Sequence, residues 1–311
     1  MKPTERIDYD PITGRPPLQL PEGARVAVWL IVNVEQWADT EPMPRTVLTP
    51  PAGGTSTPDV PNWAWHEYGN RVGFWRLLNV IDRHAIPAAF AVNGSAITAY
   101  PQITDAALSR HWEFLGHGYT QKNMQKVDDE PDDIRRTRDA ITTATGRPLR
   151  GWLGPGLTET WETPDLLVEH GFDYVCDWVL DDQPTLLRTR TTPIVNIPYT
   201  QECNDVAMML IQHHTAEEYR RRPTDQFDQL LADARADDSA RVMALVVHPY
   251  IMGAPHRTKY LDQTLSHITG HEEALFCTGE QILDWYTTNH TVATTPAPAH
   301  SRTARAPIGP S

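Results

Sequence analysis

The chain has 311 residues, with 27 Lys plus Arg against 40 Asp plus Glu, and so a formal charge of −13 (27 − 40). That length suits one large α/β domain, and 40% hydrophobic residues are enough to bury a sizeable core. The acidic balance argues against nucleic acid or an anionic membrane as a main partner, because both need a basic face.

Residues 1–24 are Pro-rich and read as an irregular N-terminal arm. Cys176, Cys203 and Cys277 are odd in number, without a Cys-x-x-Cys, which argues against a disulfide framework and for a reducing cytoplasm. Met1 to Glu5 lead into polar sequence without a signal-peptide apolar core, and no run of about eighteen apolar residues predicts a membrane span. The expected location is cytoplasmic.

One domain is expected over 25–290, with strands alternating with helical patterns. The β-branched run 25–34 predicts a strand buried on both faces. Apolar spacing predicts a helix over 73–84, followed by strands at 87–92 and 111–115. A helix over 132–145 closes at Gly146. Then come a strand from 151, a helix over 164–170, strands at 174–177 and 194–197, and a helix over 223–236. A strong strand at 241–248, a helix over 261–270, a strand at 275–278 and a helix to Tyr286 complete the domain. The Pro, Ala, Thr and Ser of 291–311 predict a disordered tail. Repeated βα units imply parallel strands with right-handed crossovers, and six or seven of them suggest a barrel with its site at the carboxyl ends of the strands.

Polar residues gather at those ends. Asn33 and Glu35 follow β-period two and share a face; Glu35 suits a metal ligand or a general base. Asn93 ends the second strand, and His117 follows the third within Gly116-His117-Gly118. His248 ends the strong strand, and imidazoles transfer protons near neutrality. Asp177, at another strand end, could orient a histidine or an arginine. Glu67 and Arg71 either pair and fix their loop or bind a polar substrate. The turn-rich segment Trp152 to Thr158 offers backbone N–H groups for an oxyanion. Asn33, Trp152 and Asn204 complete the expected substrate-binding set. Trp63, Trp65 and Trp75 read as packing.

Together these stretches resemble the polysaccharide deacetylase superfamily, nearest its cytoplasmic branch similar to cofactor-independent allantoinases and cyclic imide hydrolases. The resemblance rests on Asn33-Val34-Glu35, on Glu67-Tyr68-Gly69-Asn70-Arg71-Val72-Gly73-Phe74-Trp75-Arg76 and on Gly116-His117-Gly118-Tyr119. Gly151-Trp152, Asp177-Trp178, Ile197-Pro198-Tyr199 with Asn204-Asp205, and Val247-His248-Pro249 continue it in family order. It covers residues 25 to 286 and implies a distorted (β/α)7 barrel that hydrolyses C–N bonds. Metal-dependent members use an Asp-Asp pair and a His-x-x-x-His. Here Asn33 and Glu35 replace the first, Gln121 stands at the second histidine, and no arginine precedes Gly154-Pro155-Gly156. Two readings stay open: a divalent metal such as zinc held by Glu35, His117 and a third group, or water activated without metal.

The reading that follows is a hydrolase opening a small cyclic amide, imide or ureide. Glu35 or His117 activates water, His248 protonates the leaving nitrogen, and backbone donors near Leu153-Gly154 hold the oxyanion. The alternatives are a polysaccharide or amino-sugar N-deacetylase and a catalytically silent small-molecule-binding barrel. A small-molecule substrate is the expected partner. A homo-oligomer is expected too, with the Trp-rich segment from Trp63 at a subunit contact.

Overall fold

All nine residues of the central strand β1 (Val26–Val34) are buried. The computed structural model describes residues 1–51 and 53–289, so the expected tail at 291–311 lies outside the described residues. The single turn α1 (Pro3–Arg6) precedes β1; after it come α2 (Val60–Tyr68), a π-helical turn at Gly69–Gly73, and α3 (Phe74–His84). The chain continues through β2 (Ala89–Val92), α4 (Ala96–Ala99), α5 (Pro101–Ser109), β3 (Glu113–Gly116), α6 (Glu130–Thr145), β4 (Gly151–Trp152) and α7 (Thr163–Glu169). The last part holds β5 (Tyr174–Val175), β6 (Thr185–Leu187), β7 (Ile194–Asn196), α8 (Ala216–Ala236), β8 (Arg241–Val247), α9 (Thr258–Thr269), β9 (Ala274–Phe276) and α10 (Gly279–Asn289).

Among the described residues nine strands form one curled sheet in the order β6-β7-β5-β4-β3-β2-β1-β8, with β9 beside the start of β1. β6 runs antiparallel to β7. Setting β6 and β9 aside leaves seven parallel strands (9 − 2), each pairing in the order expected of a (β/α)7 barrel. The distortion is a seam, because β7 and β8 do not pair directly. One parallel bridge, Asn204 to Val246, spans the gap, with Val246 N–H donating to Cys203 O at 3.1 Å. Val246 O accepts from the Tyr219 hydroxyl at 2.9 Å.

Period two sorts the side chains. Val26, Val28, Leu30, Val32 and Val34 pack outward with Phe74, Leu77 and Ile81 of α3. Ala27, Trp29 and Ile31 face inward with Ala89, Ala91, Leu115, Leu153, Val242, Ala244 and Val246. Small residues on β2 and β8 leave room for the Trp29 ring, so the interior is filled rather than hollow. The inward row continues past the apolar layers to Asn33 and Glu35, which therefore lie in the barrel mouth.

Some elements differ from the sequence expectation. α8 begins two turns earlier than 223, at the Thr215 cap, whose hydroxyl accepts from Glu218 N–H at 3.4 Å; Pro223 lies inside it. α2, α5 and β6 were not expected: α2 and α5 begin at a Pro in the first turn, a favoured position, but lack a broad apolar stripe. The N-terminal arm is pinned by Arg6, which is 1% exposed and donates to Asp165 Oδ2, Trp161 O and Arg188 O, each at 2.7 Å. Among the described residues no helix is long and apolar enough to cross a membrane. All three cysteines are buried as free thiols.

Candidate active site

The strand ends bring Glu35, His117 and His248 together, each no more than 4% exposed. His117 Nε2 and His248 Nε2 lie 3.7 and 3.5 Å from the same carboxylate oxygen, Glu35 Oε1. Burial alone would push the Glu35 carboxyl up, but Arg45, His117 and His248 outweigh it and hold it well below the usual carboxylate range. Glu35 is therefore a buried anion with cationic neighbours.

His248 is defined by its other nitrogen. Its Nδ1 lies 2.6 Å from Asp205 Oδ1, and its backbone N–H donates to Asp205 Oδ2 at 2.7 Å. Burial opposes the imidazolium, yet Asp205 and Glu35 overcome it and raise the group to about 9. His248 is then protonated at neutral pH and able to give a proton from Nε2.

His117 is set the opposite way. Its Nδ1 is 2.5 Å from the Leu153 carbonyl oxygen, which can only accept, so Nδ1 carries the hydrogen and the lone pair of the neutral ring is on Nε2. Gln121 completes this arrangement. Its amide nitrogen donates to Glu35 Oε1 at 2.8 Å and approaches His117 Nε2 at 3.2 Å, while its oxygen accepts from Asn93 Nδ2 at 3.0 Å. Asn93 also bonds His117 O and accepts from Gln36 N–H at 2.8 Å, tying the first three strand ends together. The loop turns at Gly118 (φ 71°), where a Cβ would sit 2.8 Å from Pro155 Cγ, so glycine is required there.

A cover closes the mouth. The loop 35–59 has neither helix nor strand among its described residues, and it carries Trp37 and Arg45. Trp37 Nε1 donates to Glu35 Oε2 at 3.1 Å; Arg45 lies 3.6 Å from Glu35 Oε1 and donates to the Tyr250 hydroxyl at 3.0 Å. Asn70 Nδ2, from the π-helical turn, holds Glu35 O at 3.1 Å. His66 stacks on Tyr250 with ring centroids 4.3 Å apart, and burial lowers it to about 4. Two buried polar atoms near this cluster, Asn33 Nδ2 and His66 Nε2, have no protein partner.

Other expected residues are placed differently. Trp152 is on the outward face of β4, 5.5 Å from Phe172 with its indole N–H unpartnered, and so belongs to the sheet–helix core rather than to a substrate wall. Leu153 N–H donates to Gly116 O at 2.9 Å, and Gly154 N–H donates to Asp177 Oδ1 at 2.7 Å. Both donors are occupied, so this turn offers no oxyanion hole. Asp177 reaches neither histidine. Burial and the nearby charge of Glu159 push its carboxyl well above the usual range, and burial raises Glu159 to about 7 against the opposing bond from Trp178 Nε1. Asn204 Oδ1 accepts from Val206 N–H at 3.0 Å at the start of the π-helical turn Val206–Ile211, and its neighbour Asp205 faces the site instead. Glu67 does not pair with Arg71; it accepts from the Tyr100 hydroxyl behind the mouth, while Arg71 is exposed outside the cluster.

Sequence reasoning missed Asp205 as a partner of His248, Gln121 as a member of the site, and Trp37, Arg45, His66 and Tyr250 as its walls. For Asp205 the signal was partial: Asn204-Asp205 belongs to the stretches that carry the family resemblance, but its pairing with His248 depends on the bridge to Val246. For Arg45 there was none, because a loop without periodicity hides which side chain turns inward.

The geometry has relatives. Residues 65–175 match the polysaccharide deacetylase family. A candidate polysaccharide deacetylase of Schizosaccharomyces pombe is 25% identical over 87% of this chain and 92% of its own length. Among solved structures, a PuuE allantoinase superposes with a TM-score of 0.79 at 23% identity, covering 91% of this chain and 99% of that one. A candidate polysaccharide deacetylase from Pseudomonas aeruginosa PAO1 gives 0.78 at 25% identity, covering 89% and 95%.

Proposed function

We propose, from the match of residues 65–175 to the polysaccharide deacetylase family and from the geometry above, that the chain hydrolyses a C–N bond in a small cyclic amide, imide or ureide. The observation that carries this reading is the enclosure of the site. The reactive side chains of Glu35, His117 and His248 are 2 to 5% exposed beneath Trp37 and Arg45. A polymer needs an open groove, whereas a small ring fits a closed chamber.

The donor set does not fit zinc. Hydrolytic zinc sites need three protein ligands and one open position. Here the amide nitrogen of Gln121 lies between the two candidate ligands, Glu35 and His117. An amide N–H is not a ligand, and Arg45 beside Glu35 Oε1 would repel a dication. The two N–H groups of Gln121 bridge the carboxylate and the imidazole instead.

A metal-free route uses the groups as they stand. Water takes the place of the 3.2 Å Gln121 contact at His117 Nε2, which then accepts its proton as the oxygen attacks the carbonyl carbon. Glu35, held ionised, stabilises the imidazolium that forms. Asn33 Nδ2, the free donor, and the Arg45 guanidinium receive the oxyanion. His248 then gives its Nε2 proton to the departing nitrogen as the C–N bond breaks, and Asp205 balances its charge before that transfer. The product acid and amine leave when the cover opens.

Assays on allantoin, dihydropyrimidines, succinimide and acetylated sugars, each with and without chelator, test the reading. Turnover of a cyclic substrate that chelator does not affect supports it. Turnover of acetylated sugars alone, lost with chelator, replaces it with an N-deacetylase, the reading favoured by the names of the deacetylase relatives. Binding without turnover, unchanged in kind by His248→Ala, replaces it with a silent barrel.

A further inference from the structure

We propose a second site, on the outside of the barrel: a transition-metal site formed by Asp228, His267 and His271. It is independent of the hydrolytic reading. Asp228 projects from the middle of α8; His267 lies in the last turn of α9, and His271 follows four residues later, just past the helix end. Although His271 is outside the helix, its ring lies beside that of His267.

The geometry is close to that of a bound ion. His267 Nε2 lies 2.8 Å from Asp228 Oδ1, and the imidazole centroids are 5.0 Å apart with planes tilted 58°. One ligand atom from each residue lies within 4.8 Å of the others. Ligands about 2.1 Å from a shared ion sit roughly 3 to 3.5 Å from each other, so a small side-chain rotation closes the site. Phe227, buried beside Asp228, packs against both rings at 6.2 and 5.1 Å and limits how far they can swing.

Two imidazoles with one carboxylate suit zinc, cobalt, nickel or copper(II) and not magnesium or calcium, which take oxygen ligands. The Asp228 and His267 side chains are 51% and 34% exposed, which leaves the other coordination positions to water. α9 leads into β9 at the amino-terminal end of β1, so this cluster is at the end of the barrel away from the mouth. A metal there ties α8 to α9. It would also give purified protein a metal content unrelated to Glu35 and His117.

Zinc titration of the tag-free full chain, after chelator treatment and dialysis, tests the site by calorimetry. One equivalent should bind. The paired substitution His267→Gln with His271→Gln should weaken binding by roughly tenfold or more, and Glu35→Gln should leave it unchanged. In case the double variant misfolds, cobalt added to the wild type should broaden the ring NMR signals of His267 and His271 before those of His117 and His248. Absence of zinc uptake by the wild type, wild-type affinity in the folded double variant, loss of binding with Glu35→Gln, or broadening first at His117 would overturn the proposal.

Discussion

Replacing Asp205 with Asn removes the charge that makes His248 an acid while keeping the shape of its partner. His248 is raised from 6.5 to about 9, a difference of about 3 kcal/mol at 1.36 kcal/mol per pK unit. Once the Asp205 charge is gone, burial opposes only the Glu35 contribution, and the group returns near its ordinary value. At pH 8 the protonated fraction then falls from about nine-tenths to about one-thirtieth, a loss of roughly 30-fold in kcat, with little loss at pH 6. The alkaline limb of the rate profile should therefore move from near 9 to near 6.5, and NMR titration of the His248 ring should move with it. The same pairing bears on stability. A raised histidine stabilises the fold fully below its unfolded value of 6.5 and loses that contribution as pH rises through 9. The urea midpoint of the wild type should fall across that window, and Asp205→Asn should lack the fall. An unmoved alkaline limb, or a loss equal at pH 6 and pH 8, would refute the assignment of His248 as the acid.

Gln121→His should create zinc uptake in the barrel mouth, detectable as metal binding that Glu35→Gln abolishes, and should reduce chelator-resistant turnover. Asn33→Ala should cut kcat by about 10²-fold with KM nearly constant, because a free oxyanion donor acts only in the transition state; steady-state kinetics on the identified substrate check this. Asp177→Asn should change kcat/KM by less than about tenfold at neutral pH. Burial and Glu159 already push Asp177 towards its protonated form, and an amide oxygen can still accept from Gly154 N–H.

The parts of this protein legible in sequence were those governed by strand period. Alternation along β1 placed Asn33 and Glu35 on the inward face, and the apolar run before His248 identified a strand end. Trp152, expected to bind substrate, lies on the outward face, and β4 is too short for its pattern to show which side chains point inward. Asn204 and Asp205 posed a similar choice, settled by the bridge to Val246, a contact between segments forty residues apart that no local pattern encodes. Gln121 was legible as a departure from a metal motif, but its role as a bridge depends on Asn93, which arrives from a different strand. The cover residues Trp37 and Arg45 come from a segment without periodicity and appear in the site only through their contacts with Glu35 and Tyr250.

The seam between β7 and β8 gives the hydrogen bonds of Asp205 a second meaning. Asp205 follows the bridging Asn204, and His248 follows β8, so the two bonds between them act as a clasp where the ladder is thinnest. The proposed proton donor is thus assembled across the joint whose backbone pairing is sparsest. Partial opening there would disarm the enzyme while the β1–β2–β3 layer stays intact. Activity should then fade at lower urea than the far-ultraviolet circular dichroism signal, and the Val246 amide should exchange sooner than the Leu30 amide. Turnover in this barrel would serve as a gauge of its own closure.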